Sequence, residues 1–317
     1  MHQPRSTTPD VAINDVASPK PKRERLVSLC CLLAGGMLLG LSTNLAKQAS
    51  ELALSPLAFL FWSLGGATLL LFILAIWRGQ LPPVNQRTLE YYGVSALVGV
   101  AGSNLLFFSA IAHIGAGFVA LVITLPPLLT YLGALALKVE RFQLVRAAGV
   151  ISALVGAMIL AVHKLATPNV DVGWVLLALL GPVLLAIGNL YRSLRWPVGV
   201  SSEALAPGML AAAVMLLLGI SFLPGFTLAV PTLGISTFML IAIQAAIFAG
   251  QFLLLFLLQK SGGPVLLSLL GSVGALFGVP VAILMQGESV PQGLLPGALL
   301  IGAGIALLNI GKMRQHA

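Results

Sequence analysis

The stretch from Ala101 to Gly156 occurs twice in this chain, and this repetition limits which folds the sequence can adopt. A shift of 148 residues superposes it on a second copy without a gap. Matched apolar letters carry little weight in a chain so rich in Leu, Ala and Gly. Acids are scarce, however, and Glu140 falls on Glu288. Because Asn44 also matches Asn189 at a shift of 145 residues, we predict two homologous halves.

The composition indicates a membrane protein. The chain is 58% hydrophobic and 8% charged, with a mean hydropathy of +1.03, whereas soluble domains are about 25% charged. So few charges cannot cover a surface that faces water. The net charge is +8, but the charged residues cluster between the apolar spans. They do not form a basic face of the kind that binds nucleic acid, so we expect no nucleic acid partner. Cys30 and Cys31 are adjacent, which favours neither a disulfide nor a metal site.

Ten apolar spans follow a polar tail, residues 1–25, that we predict to be disordered. Each is near the ~20 residues that cross a bilayer as a helix. The runs are continuously apolar, whereas strands of a membrane barrel alternate, so the spans favour helices. The predicted spans are 26–46, 56–77, 91–112, 117–137, 147–162, 172–191, 204–224, 236–258, 264–285 and 293–311.

The basic residues predict the orientation, since Lys and Arg are enriched in cytoplasmic loops. With the N-terminus inside, all of the 17 Lys and Arg except Lys47 and Lys164 lie on the cytoplasmic side. We therefore predict a multi-pass protein of the cell inner membrane with both termini in the cytoplasm, including a short tail at 312–317.

The span count and the repeat together predict an inverted arrangement. Five spans per half is an odd number, so the halves 26–165 and 166–311 enter the membrane from opposite sides. The predicted fold class is an all-α integral membrane protein with ten transmembrane helices in two inverted five-helix repeats. Secondary transporters commonly have this architecture and bind substrate near the middle of the membrane.

The residues also resemble a known family. The duplicated ten-span pattern, Asn44 three residues before Lys47, and the segments Ile114–Glu140 and Gly262–Glu288 resemble the EamA type of the drug/metabolite transporter superfamily. The resemblance covers about residues 26–311 and implies a transporter, with exporters of amino acids or related compounds frequent among such proteins. Many relatives carry an Arg early in the second helix, where this chain has Phe61-Trp62-Ser63, so no role of that Arg transfers.

The predicted spans hold no Asp, Glu, Lys or Arg at depth. Intramembrane charges are costly and usually functional, so their absence argues against a proton relay, an intramembrane protease and a metal transporter. A phosphate-binding loop is also missing, since Gly311-Lys312 is followed by Met313. We predict no enzyme activity, no cofactor and no metal site, with uniport or exchange favoured over proton coupling.

Neutral polar residues in the middle of the membrane are the candidate substrate-binding group. Amides and hydroxyls at this depth need partners, because hydrocarbon offers none. Such residues also bridge helices, which is the alternative role for each of them. Two pairs coincide under the 148-residue shift, which favours a shared polar cavity. The six candidates are Ser103, Asn104, Thr124, Gln244, Gln251 and Ser272.

Two further pairs of residues occupy equivalent places in the repeat. Asn44 and Asn189 are predicted to lie at opposite membrane faces, as gate contacts or as caps at helix ends. Glu140 and Glu288 each precede a helix, whose positive end favours a carboxylate, so we assign them a structural role.

The sequence predicts a carrier of small organic metabolites that works by alternating access, as a monomer or homodimer in the lipid bilayer, with export favoured. A cavity of amides and hydroxyls suits a neutral or zwitterionic solute. One alternative is a lipid or lipid-sugar translocator of the same superfamily. Another is a membrane sensor or accessory protein without transport activity.

Overall fold

The computed structural model describes residues 22–166, 171–231, 234–290 and 293–313, and these residues form an all-α bundle. Most of the predicted disordered tail therefore lies outside the described residues. The helices are α1 (Lys22–Glu51), α2 (Pro56–Trp77), α3 (Gln86–Ala96), α4 (Gly102–Ile114), α5 (Ala116–Val122), α6 (Pro126–Ala136), α7 (Leu144–Leu165), α8 (Val172–Leu194), α9 (Ser202–Ser221), α10 (Ile235–Ser268), α11 (Leu270–Leu284) and α12 (Leu294–Met313).

The prediction of an all-α membrane protein is confirmed. Within the described residues, eight helical segments are long and apolar enough to cross a membrane, and two shorter apolar helices, Leu270–Leu284 and Leu294–Leu308, follow them. α3 and α4 form one span joined by a π-helical turn, Leu97–Ala101. α5 and α6 together form the span whose residues are the most buried of the eight.

Several helices extend beyond their predicted ends, among them α1 and α8. α1 begins at Lys22, inside the segment assigned to the tail, and ends at Glu51 rather than near residue 46. The residues after Leu45 are good helix formers, and the next breaker is Pro56. α8 likewise continues past residue 191 to Leu194. The prediction of a helix-end cap is therefore wrong for Asn44, which lies well inside α1.

The fourth span is broken rather than bent. α5 ends at Val122 and α6 begins at Pro126, with residues 123–125 between them. Proline lacks a backbone N–H and clashes with the preceding turn, so Pro126 and Pro127 fit the first positions of a new helix. The break leaves backbone carbonyls without helical partners in the most buried span, where they lie next to α11.

The junction between the eighth and ninth spans differs from the prediction. The predicted spans end at residue 258 and begin again at residue 264, but α10 continues to Ser268 and α11 begins at Leu270. A helix satisfies its own backbone groups, which favours its continuation at membrane depth.

The helices pack in a regular set of pairs. α1 packs against α10 and α11, and α8 packs against α4 and α6. α7 packs along α12, α2 along α9, and α5 along α11. We name the ends of the bundle after one acid each. At the Glu288 end this carboxylate lies beside Lys47, and at the Glu140 end Glu140 lies beside Arg146 near the start of α7.

Glycines bring α7 and α12 into close contact. A Cβ on Gly149 would lie 2.6 Å from the carbonyl oxygen of Gly304, and a Cβ on Gly156 would lie 2.6 Å from that of Gly297. As the residue number rises on α7, it falls on α12, so the two helices run antiparallel. Between these contacts Ser152 Oγ donates to the carbonyl oxygen of Leu300 at 2.9 Å.

Filling this contact should destabilise the protein. We expect Gly156→Val to cost about 1–3 kcal/mol, because the added methyl groups would collide with α12 backbone in a packed interface. Gly302→Val is the matched control, since a Cβ there meets nothing within 4 Å. Melting temperatures of the purified variants in detergent provide the measurement. Equal losses for both variants would contradict the close packing.

Candidate functional site

A cavity lies between the two halves of the chain. It contains about 700 Å³ of empty space, counting the part open at its mouth. Aliphatic and aromatic side chains form most of the wall, including Phe107, Phe108 and Phe252. Six polar side chains complete the lining, namely those of Ser42, Thr43, Asn104, Asn189, Arg192 and Gln251. A mainly apolar cavity with a few convergent polar groups is the usual form of a small-molecule site.

Arg192 is the charged side chain among the described residues of this lining. Its side chain is buried in α8, and Nη2 donates to Asn189 Oδ1 at 2.7 Å. Nη1 lies against Gly99 in the π-helical turn, where a Cβ would overlap the guanidinium. The sequence prediction ended the sixth span at residue 191 and so assigned Arg192 to a loop. Because α8 continues to Leu194, the arginine belongs to the bundle.

Two of the six candidate residues line this cavity. Asn104 is half-buried, and its Nδ2 donates to the carbonyl oxygen of Val100 at 2.8 Å. That carbonyl belongs to the π-helical turn, whose regular pairing is altered. Gln251 on α10 is buried, and its Oε1 has no hydrogen-bond partner within the described part of the chain. This amide can therefore still bind a solute.

Ser103 and Gln244 are buried behind the cavity wall. Gln244 Nε2 donates to Ser42 Oγ at 2.6 Å, which links α10 to α1 and orients a hydroxyl of the lining. The Oγ of Ser103 is buried and unpartnered among the described residues. These two side chains fit a supporting role better than direct contact with a solute.

Thr124 and Ser272 line a different space. A wide, mostly apolar groove with about 1,590 Å³ of empty volume, including its open side, runs along α11 and α12. Thr124 lies in the break between α5 and α6, where its Oγ1 donates to the carbonyl oxygen of Leu121 at 2.6 Å. The structure thus divides the predicted polar group between two cavities.

At the Glu288 end, a network of polar contacts joins neighbouring helices. Asn44 Nδ2 donates to the carbonyl oxygen of Gly278 on α11 at 3.0 Å, and Gln286 Nε2 donates to that of Asn44 at 2.8 Å. Glu288 lies 3.0 Å from Lys47 Nζ and accepts from the backbone N–H of Ala116 and Gly117 at 2.7 and 2.9 Å. These bonds connect α1, α5 and the end of α11.

Glu288 binds the N-terminus of α5, which the sequence prediction did not identify. That prediction placed the carboxylate at the positive end of the helix that follows it in the chain. The helix α5 is distant in sequence but adjacent in space, so the contact depends on tertiary packing. Glu140, the equivalent acid, instead forms a salt bridge with Arg146, whose guanidinium carbon lies 5.1 Å from the centre of the Tyr131 ring.

A second cavity lies at the Glu140 end, beside the first. It has about 660 Å³ of empty space and is lined by residues of α6, α7, α8, α12 and the segment after α6, including Tyr131, Glu140 and Arg146. Leu190 and Ser193 line this second cavity, whereas Asn189 and Arg192 line the first one, between the two halves, which we call the central cavity. The central cavity therefore adjoins open space on the Glu140 side.

Three of the polar side chains that line the central cavity within the described residues were not among the candidates, namely those of Ser42, Thr43 and Arg192. The repeat contained a signal for the arginine, because Arg192 corresponds to Lys47 at the shift that aligns Asn189 with Asn44. Among the described residues no group of three or more His, Cys, Asp or Glu side chains could hold a metal ion.

Comparisons with known proteins agree with this architecture. Residues 26–162 match the model of the EamA-like transporter family. A solved structure described only as "Crystal structure of protein" has a TM-score of 0.64 and 18% identity, over 93% of this chain and 99% of that one. At this identity the likeness concerns the fold alone. No curated protein matches the chain in sequence. Residues 26–162 are therefore similar to the EamA-like transporter family, which is part of the drug/metabolite transporter superfamily.

Proposed function

We propose that the protein is a secondary transporter of small organic metabolites that works by alternating access between two inverted halves, 26–165 and 166–311. The observation that carries the proposal is the central cavity, whose lining comes from both halves and includes the Gln251 side chain, whose Oε1 has no partner among the described residues. Binding sites between repeats near mid-membrane are typical of this class of transporter.

The contact between α7 and α12 supports the inverted arrangement. Under the 148-residue shift Gly149 corresponds to Gly297 and Gly156 to Gly304. Gly149 meets Gly304, and Gly156 meets Gly297, so each contact is the image of the other. Ser152 bonds Leu300, which is its own equivalent. A contact in which each partner presents the same surface is what a two-fold axis produces.

The contact between α5 and α11 repeats this relation. A Cβ on Gly271 would overlap the carbonyl oxygen of Ile123, and these two residues are equivalent under the same shift. The pairing of whole helices agrees, because α1 lies on α10 and α11 as α8 lies on α4 and α6. Each of these is expected if one half is related to the other by a two-fold axis in the membrane plane.

The two ends of the bundle differ, which supports alternating access. At the Glu288 end, Asn44 and Lys47 bind α11 and Glu288. The equivalent residues at the Glu140 end, Asn189 and Arg192, bind each other. The Glu288 end is therefore closed by contacts that have no equivalent at the Glu140 end among the described residues. In inverted repeats, exchanging the conformations of the halves would reverse this difference.

The orientation that we propose places the Glu140 end in the cytoplasm of the inner membrane, with both termini inside. The support is the excess of Lys and Arg in the connections at that end. The structure would then represent a state open toward the cytoplasm and closed toward the outside. We favour export as the direction of net transport, as the resemblance implies.

Strain comparison tests this function whichever solute the protein carries. Metabolites inside and outside the cells would be compared among a deletion strain, the parent and an overexpressing strain. We expect one small organic solute to rise outside on overexpression and to accumulate inside on deletion. Gln251→Leu at equal membrane levels should lower the external solute several-fold, because the amide is a free hydrogen-bonding group of the cavity.

Ser221→Ala is the matched control for this comparison. Its hydroxyl donates to the helical carbonyl oxygen of Leu218 and lies outside the central cavity, so export should be unchanged. If no solute differs between the three strains, the transporter assignment fails. If Gln251→Leu exports normally, the cavity assignment fails while transport stands.

A lipid translocator is the second candidate, and the groove along α11 and α12 favours it. This groove is wide, apolar and open on one side, as a path for an acyl chain would be. Thr124→Val and Ser272→Ala would then impair the function more than Gln251→Leu. The strain comparison separates the candidates, because a change in lipids or lipid-linked sugars rather than in soluble metabolites would favour the groove.

A further inference from the structure

The guanidinium of Arg192 has free hydrogen-bond donors although it is buried. Its side chain is 1% exposed, and of its three nitrogens only Nη2 has a partner, Asn189 Oδ1. Nε and Nη1 have none among the described residues, and no described carboxylate forms a salt bridge with this side chain. A charge removed from water is retained where a partner compensates it. The missing partner is therefore an anion that the described residues do not supply.

Arg146 shows how this fold pairs an arginine that has a structural role. It is as deeply buried as Arg192, with 2% exposure, but it forms a salt bridge with Glu140 and lies over the Tyr131 ring. Arg192 has neither an acid nor a ring contact of this kind, and it borders the central cavity rather than the helix interface alone. The difference separates a packing arginine from a binding one.

We propose that Arg192 binds a carboxylate group of the transported solute, an inference that rests on the function proposed above. A guanidinium carries a permanent charge, and its planar N–H donors match the oxygens of a carboxylate. In the central cavity the free donors of Nε and Nη1 bind the solute, while Asn189 holds Nη2 and fixes the orientation of the side chain.

The rest of the lining defines the class of solute further. Arg192 is the only Lys or Arg among the described residues that line the cavity, so one negative charge is matched and a dianion would leave one unmatched. Phe107, Phe108 and Phe252 favour an apolar remainder. The free Oε1 of Gln251 can accept a hydrogen bond from an ammonium group. The site thus fits a small organic monocarboxylate, with or without an amino group.

A charged thiol reagent detects the binding potential of Arg192 independently of transport. A cysteine at Leu185 would serve as the reporter, because this residue lines the cavity two turns before Arg192 on the same face of α8. Asn104→Cys would be a second reporter from α4. Both variants would be made with Cys30→Ser and Cys31→Ser and purified in detergent. The probes are the anionic sulfonatoethyl and the cationic trimethylammonium-ethyl methanethiosulfonates.

The measured quantity is the ratio of anionic to cationic reaction rates, each normalised to a free thiol in solution. We expect the anionic reagent to be favoured, and Arg192→Gln to lower the ratio about tenfold or more through the loss of a nearby charge. Arg192→Lys keeps the charge and should preserve most of the ratio. Lys47→Gln is the matched control, because the equivalent cation is neutralised by Glu288. Size-exclusion chromatography would establish that each variant is folded.

Benzoate and benzamide then test the carboxylate itself, since they differ only in that group. We expect benzoate to slow alkylation of both reporters at millimolar concentration and benzamide to have at least tenfold less effect, a difference that Arg192→Gln should remove. Equal protection by the two compounds, or a rate ratio unaffected by Arg192→Gln, would overturn the proposal. Failure of both reagents to reach either reporter would also overturn it, because a solute of this size must reach Arg192. If the rate ratio and the benzoate protection both give the expected results but the strain comparison finds no exported solute, the anion site stands and the transport function fails.

Discussion

Replacing Arg192 by methionine should abolish most transport while leaving the melting temperature unchanged or higher. Methionine has a similar length and fills apolar space without a charge. The variant removes a buried cation that has no carboxylate partner among the described residues, so the folded protein loses little. Bound solute loses charge-assisted hydrogen bonds worth about 1.5–3 kcal/mol each, and transport should fall roughly 10- to 100-fold. The measurements are efflux of the solute identified by strain comparison and thermal unfolding in detergent.

Arg146→Met is the control that distinguishes a loss of binding from a loss of stability. Arg146 is equally buried, but its removal leaves Glu140 without its salt-bridge partner. Because Glu140 is partly exposed, we expect a loss of about 1–3 kcal/mol in unfolding free energy, below the range for a fully buried pair. A variant of Arg192 that unfolds as readily as that of Arg146, with transport lost in proportion to folded protein, would show that Arg192 stabilises the fold instead.

The fold class could be predicted from the sequence because the membrane imposes it. Continuous apolar runs near the length of a bilayer crossing leave helices as the solution, and the described residues form them. The ends of the helices were less predictable. Hydropathy marks where the apolar run ends, whereas the α-helix continues until a breaker or a turn ends it. This is why α1 continues to Glu51 and α8 to Leu194.

The difference between the end of the apolar run and the end of the helix also explains why the sequence did not predict the charged residue of the candidate site. Arg192 follows an apolar run directly, so a hydropathy boundary places it in a loop and counts it with the cytoplasmic charges. Only the packing of α8 against the π-helical turn, through Gly188 and Gly99, shows that the side chain lies inside the bundle. Gln251 and Asn104 line the central cavity, whereas Thr124 and Ser272 line the groove along α11 and α12. A shared depth in the membrane does not determine which helix face a residue occupies.

The repeat gives more information when it is combined with the contacts. Lys47 and Arg192 are equivalent, and so are Glu288 and Glu140. In this structure Lys47 binds Glu288, while Arg192 and Glu140 bind other partners. If the halves exchange conformations, Arg192 approaches Glu140 as the Lys47 pair separates. A carboxylate solute on Arg192 would then be displaced by an acid of the protein when the Glu140 end closes.

Glu288→Gln should therefore open the Glu288 end. The substitution removes the salt bridge to Lys47 and weakens the bonds from Ala116 and Gly117. Each charge-assisted bond contributes about 1.5–3 kcal/mol, so losing a net ~2 kcal/mol of closure would shift the population about 30-fold. Thr43→Cys would report the change, because Thr43 lines the central cavity and lies one turn before Lys47 on α1. An impermeant thiol reagent applied from the Glu288 side should label it at least tenfold faster in the Glu288→Gln background.

Glu203→Gln is the matched control, since it breaks a salt bridge of similar length, 2.9 Å to Arg78, near the opposite end. We expect labelling of Thr43→Cys to be unchanged by that substitution, because the pair is more exposed and joins helices away from the Glu288 end. Glu288→Asp should give an intermediate rate, because it keeps the charge but shortens the reach. If Glu288→Gln labels no faster than the parent while remaining folded, Lys47 and Glu288 do not hold this end closed. The ends of the bundle would then have to be governed by helix packing alone, with Glu288 serving only to bind the N-terminus of α5.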